Sequence, residues 1–495
     1  VDESIGLALV FNGTIYNYPE LRHELIGRDH EFFSDGDTEV ILRAYAEWGE
    51  ACVERLHGMF AFALWDANRQ QLFLARDRLG IKPLYLARTD RFFRFASNTQ
   101  ALLAAGDVDT GIDPVALHHQ FTLHAVVPPP FTILKGIRKL EQGTTLTIDA
   151  AGRTTERRYW TLTAQRPAVA RTEQEWTEAI HAALRVAVKK RIEIADVKVG
   201  VLLSGGLDSS LLVALLAEQG VPDLMTFSIG FEDYRGESGE ERGNEFEYSD
   251  AVADYYGTRH HKYAIPNAEV LRRLPEAIDC MAEPMVSQDA VSFYLLSEMV
   301  ARTVKVVQSG QGADEVFAGY SWHPRMAAET HGSPVERMRR HYFDRDHDEF
   351  AAMIEAPYQV GDVTTELLAA KLAEPFADEF IDQVLRAEAT LLVTDDPVKR
   401  VDNMTMAWGL EARVPFLDHE LVELAARMPP SLRLKEGGKF PLKAIARGLV
   451  PDAVIDRPKG YFPVPALKYV RGDFLEFMCD ILMSEACLRR GLYNR

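Results

Sequence analysis

The chain has 495 residues, more than one hydrophobic core supports, and its length points to two or three domains. Its 47% hydrophobic and 26% charged residues are ordinary for a globular protein, while a formal net charge of −19 argues against a nucleic-acid partner, which calls for a basic face. Cys52, Cys280, Cys479 and Cys487 stand far apart with no C-x-x-C pair, so neither a zinc knuckle nor a disulfide framework is indicated, and a reducing compartment fits. No apolar stretch reaches membrane-span length and no signal-peptide pattern opens the chain, so no membrane association and a cytoplasmic location are expected. The chain reads as a piece lacking residues at both ends: it begins without Met, 5–11 is already strand-like, and it stops at G-L-Y-N-R.

Aromatic and branched segments at 5–11, 59–65, 71–75, 83–87 and 92–96 predict strands, with helices at 19–26, 38–48 and 113–121 between them. Three prolines at 128–130 make a stiff connection, 143–148 adds a strand, and a layered α/β sandwich over 1–160 follows. Residues 161–172 have linker composition, and a helix is expected over 173–194. Strands at 198–203, 224–229, 260–264 and 304–308 then alternate with helices at 209–219, 247–256, 268–280 and 290–302, an order that implies a parallel sheet with right-handed crossovers. Ligands of such sheets bind at the carboxyl ends of the strands. Beyond about residue 322 the pattern is helical, and the acidic loop 232–247 reads as a solvated segment that could order over a bound nucleotide.

The run V-G-V-L-L-S-G-G-L-D-S-S at 199–210 reads as a buried strand, a glycine turn and a helix start. Leu203, Ser204, Gly205, Gly206, Leu207, Asp208 and Ser209 therefore form an anion cradle, in which glycines admit a phosphate chain closely and the helix N-terminus offers unpaired N–H groups. Asp208 would repel phosphates unless a divalent cation bridges them, so a nucleotide with Mg2+ is expected. No G-x-x-x-x-G-K-[ST] pattern occurs. The cradle instead resembles the PP-loop of the ATP pyrophosphatase fold, which implies that ATP is cut at its α-phosphate to give an acyl-adenylate.

Asn12 and Gly13 close the first strand. An amide side chain beside a glycine N–H can stabilise an oxyanion, although alone Asn-Gly is an ordinary turn. The segments N-G-T-I-Y-N, S-D-G-D-T-E-V-I, L-H-G-M-F-A-F-A-L-W-D and L-A-R-D-R-L-G-I-K-P-L-Y resemble, in order and spacing, the glutaminase domain of class II amidotransferases. That family attacks the glutamine amide with an N-terminal cysteine. The resemblance implies an oxyanion hole from Asn12 and Gly13, and glutamine held by Gly13, Thr14 and Asp37, with Asp37 pairing to the α-ammonium. Thr14 stands where the family commonly has glutamate. The nucleophile is absent from this chain, and Cys52 reads as a buried apolar residue.

F-S-I-G at 227–230 ends a strand where a backbone pair at Ile229 could read adenine. S-G-Q-G-A-D-E at 309–315 ends another, with Ser309 and Gly310 near the nucleotide and Asp314 as the second magnesium candidate. Together with A-W-G-L-E-A-R-V-P-F-L-D at 407–418 and G-K-F-P-L-K at 438–443, they resemble asparagine synthetases over nearly the whole chain. Lys443 matches the family lysine at the α-phosphate and pyrophosphate, with Lys439 the weaker candidate. Arg413 and Asp418 are expected to form a structural pair at a helix end.

The resemblance implies an N-terminal nucleophile hydrolase-type sandwich (1–160), a linker (161–172) and a PP-loop synthetase domain with a helical C-terminal part (173–495). It also implies ATP and Mg2+, glutamine and a carboxylate acceptor; a homodimer is compatible with it. One departure bears on the acceptor: asparagine synthetases carry glutamate where Gln311 stands, and a neutral amide cannot balance the ammonium of aspartate. A-E-P-M-V-S-Q-D at 282–289, Q-G-A-D-E and R-P-K-G-Y-F-P-V-P are together similar to the N-acetylglutaminylglutamine amidotransferase branch, which amidates a blocked dipeptide acid. Asparagine synthesis from aspartate and a glutaminase-dead nucleotide-binding protein are the alternatives.

Overall fold

A computed structural model describes every residue except 233, 237, 238, 242–244, 458–471 and 495; for 234–236, 239–241, 287 and 288 only the backbone is described. The chain divides into two compact units, one of 1–113 with 128–163 and one of 114–127 with 164–495.

In the first unit, β1 (Leu7–Ile15), β2 (Gly58–Asp66), β3 (Gln71–Arg76), β7 (Thr144–Ile148) and β8 (Thr154–Arg158) form an antiparallel sheet in that order. A second sheet has the order β5 (Phe93–Ala96), β4 (Tyr85–Arg88), β6 (Arg138–Lys139). Side chains alternate across a strand, and both faces of β2 are buried. Phe60, Phe62 and Leu64 pack with Leu21 and Leu25 of α1 (Tyr18–Ile26) and Val40 and Ile41 of α2 (Asp37–Trp48). Ala61 and Ala63 pack on the opposite face with Leu74, Leu84 and Leu146, against Leu86 and Phe95 of the second sheet. Small residues on that face let the second layer approach, while each buried aromatic ring on the other stabilises the unit by about 1.5–3 kcal/mol. The short helices α3 (Cys52–Arg55) and α4 (Thr99–Ala104) complete the layer order of an α/β sandwich.

The second unit holds a parallel sheet in the order β13 (Arg259–Ile265), β10 (Met225–Phe231), β9 (Val199–Leu202), β14 (Val306–Gln308), β15 (Glu411–Arg413). A two-stranded ribbon, β11 (Tyr234–Gly236) with β12 (Gly239–Glu241), lies within the acidic loop. The connecting helices are α6 (Glu173–Glu193), α7 (Leu207–Glu218), α8 (Phe246–Tyr256), α9 (Asn267–Asp279) and α10 (Ser287–Ala301). Central β9 is wholly buried, and a Cβ on Gly200 would stand 2.6 Å from the Phe227 ring, so glycine makes room for an aromatic on the neighbouring strand. The expected strand–helix alternation is present, with bounds shifted by one to three residues.

The sequence predicts a helix at 113–121 but carries no sign that the excursion 114–127 packs with the second unit. The excursion carries α5 (Pro114–Thr122), and Leu123 and Val126 enter an apolar cluster of the second unit with Met326, Met338, Leu368 and Leu372. Residues 164–166 are also tied into this unit, Ala164 donating its N–H to Phe376 O at 2.6 Å and Arg166 pairing with Asp382. The helical part includes α11 (Ala313–Phe317), α12 (Trp322–Ala328), α13 (Pro334–Tyr342), α14 (His347–Met353), α15 (Val363–Leu372), α16 (Phe380–Ala387), α17 (Lys399–Met406), α18 (His419–Ala426), α19 (Pro430–Arg433) and α20 (Phe440–Ala446), with further helices at Asp452–Ile455, Asp473–Leu482 and Glu485–Arg490. Between α16 and α17 the chain is π-helical over Glu388–Leu392 and Thr394–Val398. Among the described residues no helix is long and apolar enough to cross a membrane.

Candidate active site

In the first unit the predicted residues gather at the end of β1. Gly13 has φ +142°, and a Cβ there would lie 2.1 Å from Met59 O; a Cβ on Gly58 would lie 2.2 Å from Thr14 O. These two glycines let β1 and β2 approach closely beside Asn12, which is half-buried and makes no side-chain hydrogen bond among the described residues. Asp37, the first residue of α2, accepts the Ile15 N–H at 3.0 Å and so fixes the helix start to the strand carrying Asn12, Gly13 and Thr14. Asn17 shapes the same turn, donating to Arg55 O at 3.0 Å and accepting from His57 N at 2.8 Å. Cys52 is fully buried and burial pushes its thiol up to about 12, so it is chemically inert. The L-A-R-D-R-L-G stretch is scaffolding. Buried Asp77 accepts the N–H groups of Phe60, Leu79, Ile81 and Lys82 at 3.0–3.1 Å, and Arg76 donates to three carbonyls, those of Gly80, Lys82 and Leu140.

In the second unit the loop after β9 is held by its own hydroxyls. Ser209 Oγ accepts from Ser204 N at 3.2 Å, lies 3.1 Å from Ser204 Oγ and donates to Gly206 O at 3.2 Å, while Gly206 caps α7. Gly205 has φ +74°, and a Cβ would stand 2.7 Å from Ser249 N of α8, so the turn requires glycine on both counts. The β14–α11 turn packs directly on this loop: a Cβ on Gly310 would sit 3.1 Å from Asp208 Cβ and 3.2 Å from Ser209 N. Ser309 is buried and donates its N–H to Arg413 O at 2.9 Å. Leu203 N–H donates to Phe227 O at 2.8 Å, joining the loop to β10, where the Ile229 side chain lies in the core.

These loops bring Asp208 and Asp314 to one cation. Lys439 Nζ lies 2.6 Å from Asp208 Oδ2 and 2.8 Å from Asp314 Oδ1. Burial penalises its charge, yet the two carboxylates outweigh that and hold the ammonium well above the usual lysine range. Lys439 caps α20 in a left-handed conformation (φ +56°), its N–H donating to Phe317 O at 3.0 Å, and Gly319 leaves the space: a Cβ there would be 2.2 Å from both Asp314 Oδ1 and Lys439 Cε. Lys443, one turn on, donates to Glu436 O at 2.5 Å rather than to either aspartate, and burial pulls its pKa down. The pair of hard carboxylate oxygens now sharing an ammonium suits a magnesium ion, which takes one or two carboxylates plus phosphate oxygens.

Gln311 is half-buried on the β14–α11 turn and its amide makes no hydrogen bond among the described residues. Glu315, two residues beyond Ala313, is buried; burial and the Asp314 charge push it up to about 8, although the Tyr320 hydroxyl donates to it at 2.7 Å. Sequence reasoning missed a set of buried charges around the π-helical stretch. Lys399 Nζ is 3.6 Å from both Glu283 and Asp395, Arg400 pairs with Asp289 at 2.6 Å and Asp396 at 3.1 Å, and Glu388 is held by His323 at 2.8 Å. The signal was present in T-D-D-P-V-K-R-V-D, five charges inside an apolar helical pattern, which burial makes expensive unless paired. Arg457 was also missed: its Nη2 lies 3.8 Å from where a Gly206 Cβ would be, beside the loop after β9, and it pairs with Glu245 at 3.0 Å. The rest of R-P-K-G-Y-F-P-V-P, residues 458–465, lies outside the described residues.

The expected Arg413–Asp418 pair is not formed. Asp418 caps α18 and pairs with buried Arg191 at 3.0 Å, whereas Arg413 pairs with Glu411 at 2.7 Å and donates to Arg191 O. Sequence proximity suggested the pair, but α6 inserts its own arginine between them.

Residues 179–495 match the Asparagine synthase family and residues 1–160 the Glutamine amidotransferase domain family. The chain belongs to the asparagine synthase family. It is 34% identical to a putative glutamine-hydrolyzing asparagine synthetase of Mycobacterium tuberculosis H37Rv, over 95% of this chain and 76% of that protein. It is 31% identical to glutamine-hydrolyzing asparagine synthetase 3 of Bacillus subtilis, over 92% of this chain and 75% of that protein. The family joins a glutamine amidotransferase domain to an ATP-dependent ligase domain, and the chain carries both.

Proposed function

We propose that the chain activates a carboxylate with ATP and amidates it with ammonia taken from glutamine, and that the acceptor is a blocked dipeptide acid of the N-acetylglutaminylglutamine kind. In this reading 1–160 is the glutaminase domain, 161–172 a linker and 173–495 the synthetase domain. The observation that carries the acceptor is Gln311: a neutral amide on the turn that packs against the phosphate loop, where aspartate would need a carboxylate to meet its ammonium.

The N–H of Gly13 and the amide of Asn12 would meet the oxyanion formed at the glutamine side chain, and Asp37, positioned by Ile15, would take the α-ammonium. Ser204 to Ser209 would hold the pyrophosphate portion of ATP, with Ser309 and Gly310 at its side and the Ile229 backbone against adenine. The acceptor carboxylate oxygen attacks the α-phosphorus and pyrophosphate leaves; ammonia then attacks the acyl carbon and AMP leaves. Asp208 and Asp314 would hold Mg2+, which supplies charge neutralisation on the departing pyrophosphate. Lys443 is the residue proposed to meet charge at the α-phosphate, and Lys439 orders the two aspartates.

ATP–pyrophosphate exchange tests this directly. Exchange should be driven by N-acetylglutaminylglutamine and not by aspartate, and Gln311→Glu should gain aspartate-driven exchange; exchange driven by aspartate alone overturns the acceptor assignment. The second reading, an asparagine synthetase, is favoured by the activities named for the relatives and would show the reverse preference.

A further inference from the structure

Outside this site, one cluster among the described residues brings three side chains together as a metal centre would. His118 on α5, His347 at the start of α14 and Asp362 at the N-cap of α15 each offer one ligand atom, and these atoms all lie within 4.8 Å of one another. We propose that these three side chains bind a zinc ion that fastens the 114–127 excursion to the helical part of the second unit. The proposal is independent of the amidotransferase reading.

The spacing favours a shared ion. His118 Nε2 and His347 Nδ1 are 3.2 Å apart. Two imidazole nitrogens bound tetrahedrally to one zinc at about 2.0–2.1 Å stand about 3.3 Å apart. The surrounding hydrogen bonds orient His118 for this role. Its Nδ1 lies 2.6 Å from Thr364 Oγ1, which lies 2.9 Å from His119 Nδ1. A hydroxyl has a single proton, so Thr364 can donate to only one of the two histidines; the zinc-binding arrangement is the one in which His118 Nδ1–H donates to Thr364 Oγ1 and Thr364 O–H donates to His119 Nδ1. In that arrangement the lone pair of His118 Nε2 faces His347 Nδ1, 3.2 Å away. An imidazole whose far N–H is anchored by a second group is the usual construction of a histidine ligand.

Asp362 is likewise held in place, its Oδ1 accepting the Thr365 N–H at 3.2 Å. His118 is fully buried with the Phe350 ring edge-on at 4.6 Å, whereas His347 and Asp362 are half-buried, so the ion has an apolar wall on one side and access from solvent on the other. Two nitrogens and one carboxylate oxygen suit zinc or a neighbouring borderline metal rather than magnesium, and leave a fourth position for water. The three ligands come from three separate helices, so binding would cross-link segments 229 and 244 residues apart in sequence.

The test is zinc titration of the full chain, free of affinity tag and of metal, in competition with a chromophoric chelator. One equivalent should bind with sub-micromolar affinity and raise Tm. His347→Ala and Asp362→Asn should each weaken binding by about 100-fold, and Thr364→Val, which removes the orienting hydroxyl, by about 10-fold or more. Asn retains the oxygen that caps α15, and circular dichroism of the metal-free variants checks that they fold. Cobalt loading should give the intense visible bands of a tetrahedral site, lost in His347→Ala. Absence of a tight zinc equivalent, or zinc affinity unchanged in both His347→Ala and Asp362→Asn, overturns the proposal.

Discussion

Replacing Lys439 by methionine removes the ammonium that stands 2.6 Å from Asp208 and 2.8 Å from Asp314 while keeping a stem of similar length. All three groups are shielded, the Lys439 side chain 10% exposed and each aspartate 20%. Removing one partner of a buried ion pair costs about 3–5 kcal/mol, because an uncompensated charge is left behind; the partial exposure of the aspartates places this case near about 3 kcal/mol. For a unit of this size that is a fall in Tm of about 4 °C. ATP–pyrophosphate exchange should fall by about 10²–10³-fold, since two facing carboxylates then repel the phosphates. Adding Asp208→Asn relieves their mutual repulsion, so Tm should partly recover while exchange stays lost. The pH dependence has a definite sign. A lysine whose folded pKa is raised contributes stability that is fully present below its unfolded value near 10.4 and is lost only as pH rises through the folded value. The Tm gap between wild type and Lys439→Met should therefore be flat from about pH 6 to about pH 9. A gap below about 1 °C, or exchange within about threefold of wild type, would refute the view that this ammonium organises the site.

Three further outcomes follow from the same geometry. Gly319→Ala places a Cβ 2.2 Å from Asp314 Oδ1 and Lys439 Cε and should abolish exchange; a variant with wild-type exchange would show that the triad can shift freely. Glu315→Gln should flatten the dependence of Tm on pH. With its folded pKa at about 8, Glu315 binds its proton in the folded state and releases it in the unfolded state between about pH 4.5 and 8, so stability falls as pH rises through that window. An unchanged slope in the variant rules this out. Cys52 should resist thiol reagents until unfolding while exposed Cys479 reacts at once, a contrast that mass spectrometry of the labelled protein reads directly.

Much of this architecture is written in local pattern. The aromatic and branched run of β2, the apolar run of β9 and the unbroken leucine-rich run after Leu207 specify their elements because each is buried on all sides, its type set by its length and its flanking glycines. The glycines are equally legible: Gly13 and Gly205 occupy conformations and close approaches that a side chain would obstruct. The short strands β6, β8 and β15 were not legible, since two to five mostly polar residues carry no period and pair only because a neighbouring strand offers them hydrogen bonds.

The choice of charge partners belongs to the tertiary structure. The sequence places Arg413 beside Asp418 and offers no partner for Lys439; in space Arg191 takes Asp418 and Lys439 spans Asp208 and Asp314. The same holds for the excursion 114–127, whose His118 comes close to residues 229 and 244 positions away. Local sequence determines which element forms and which face it buries, because those depend on periods of two and 3.6 residues. Which charges meet depends on how long side chains reach across packed elements, and in a low-dielectric interior every such charge must find a partner that only the assembled fold supplies.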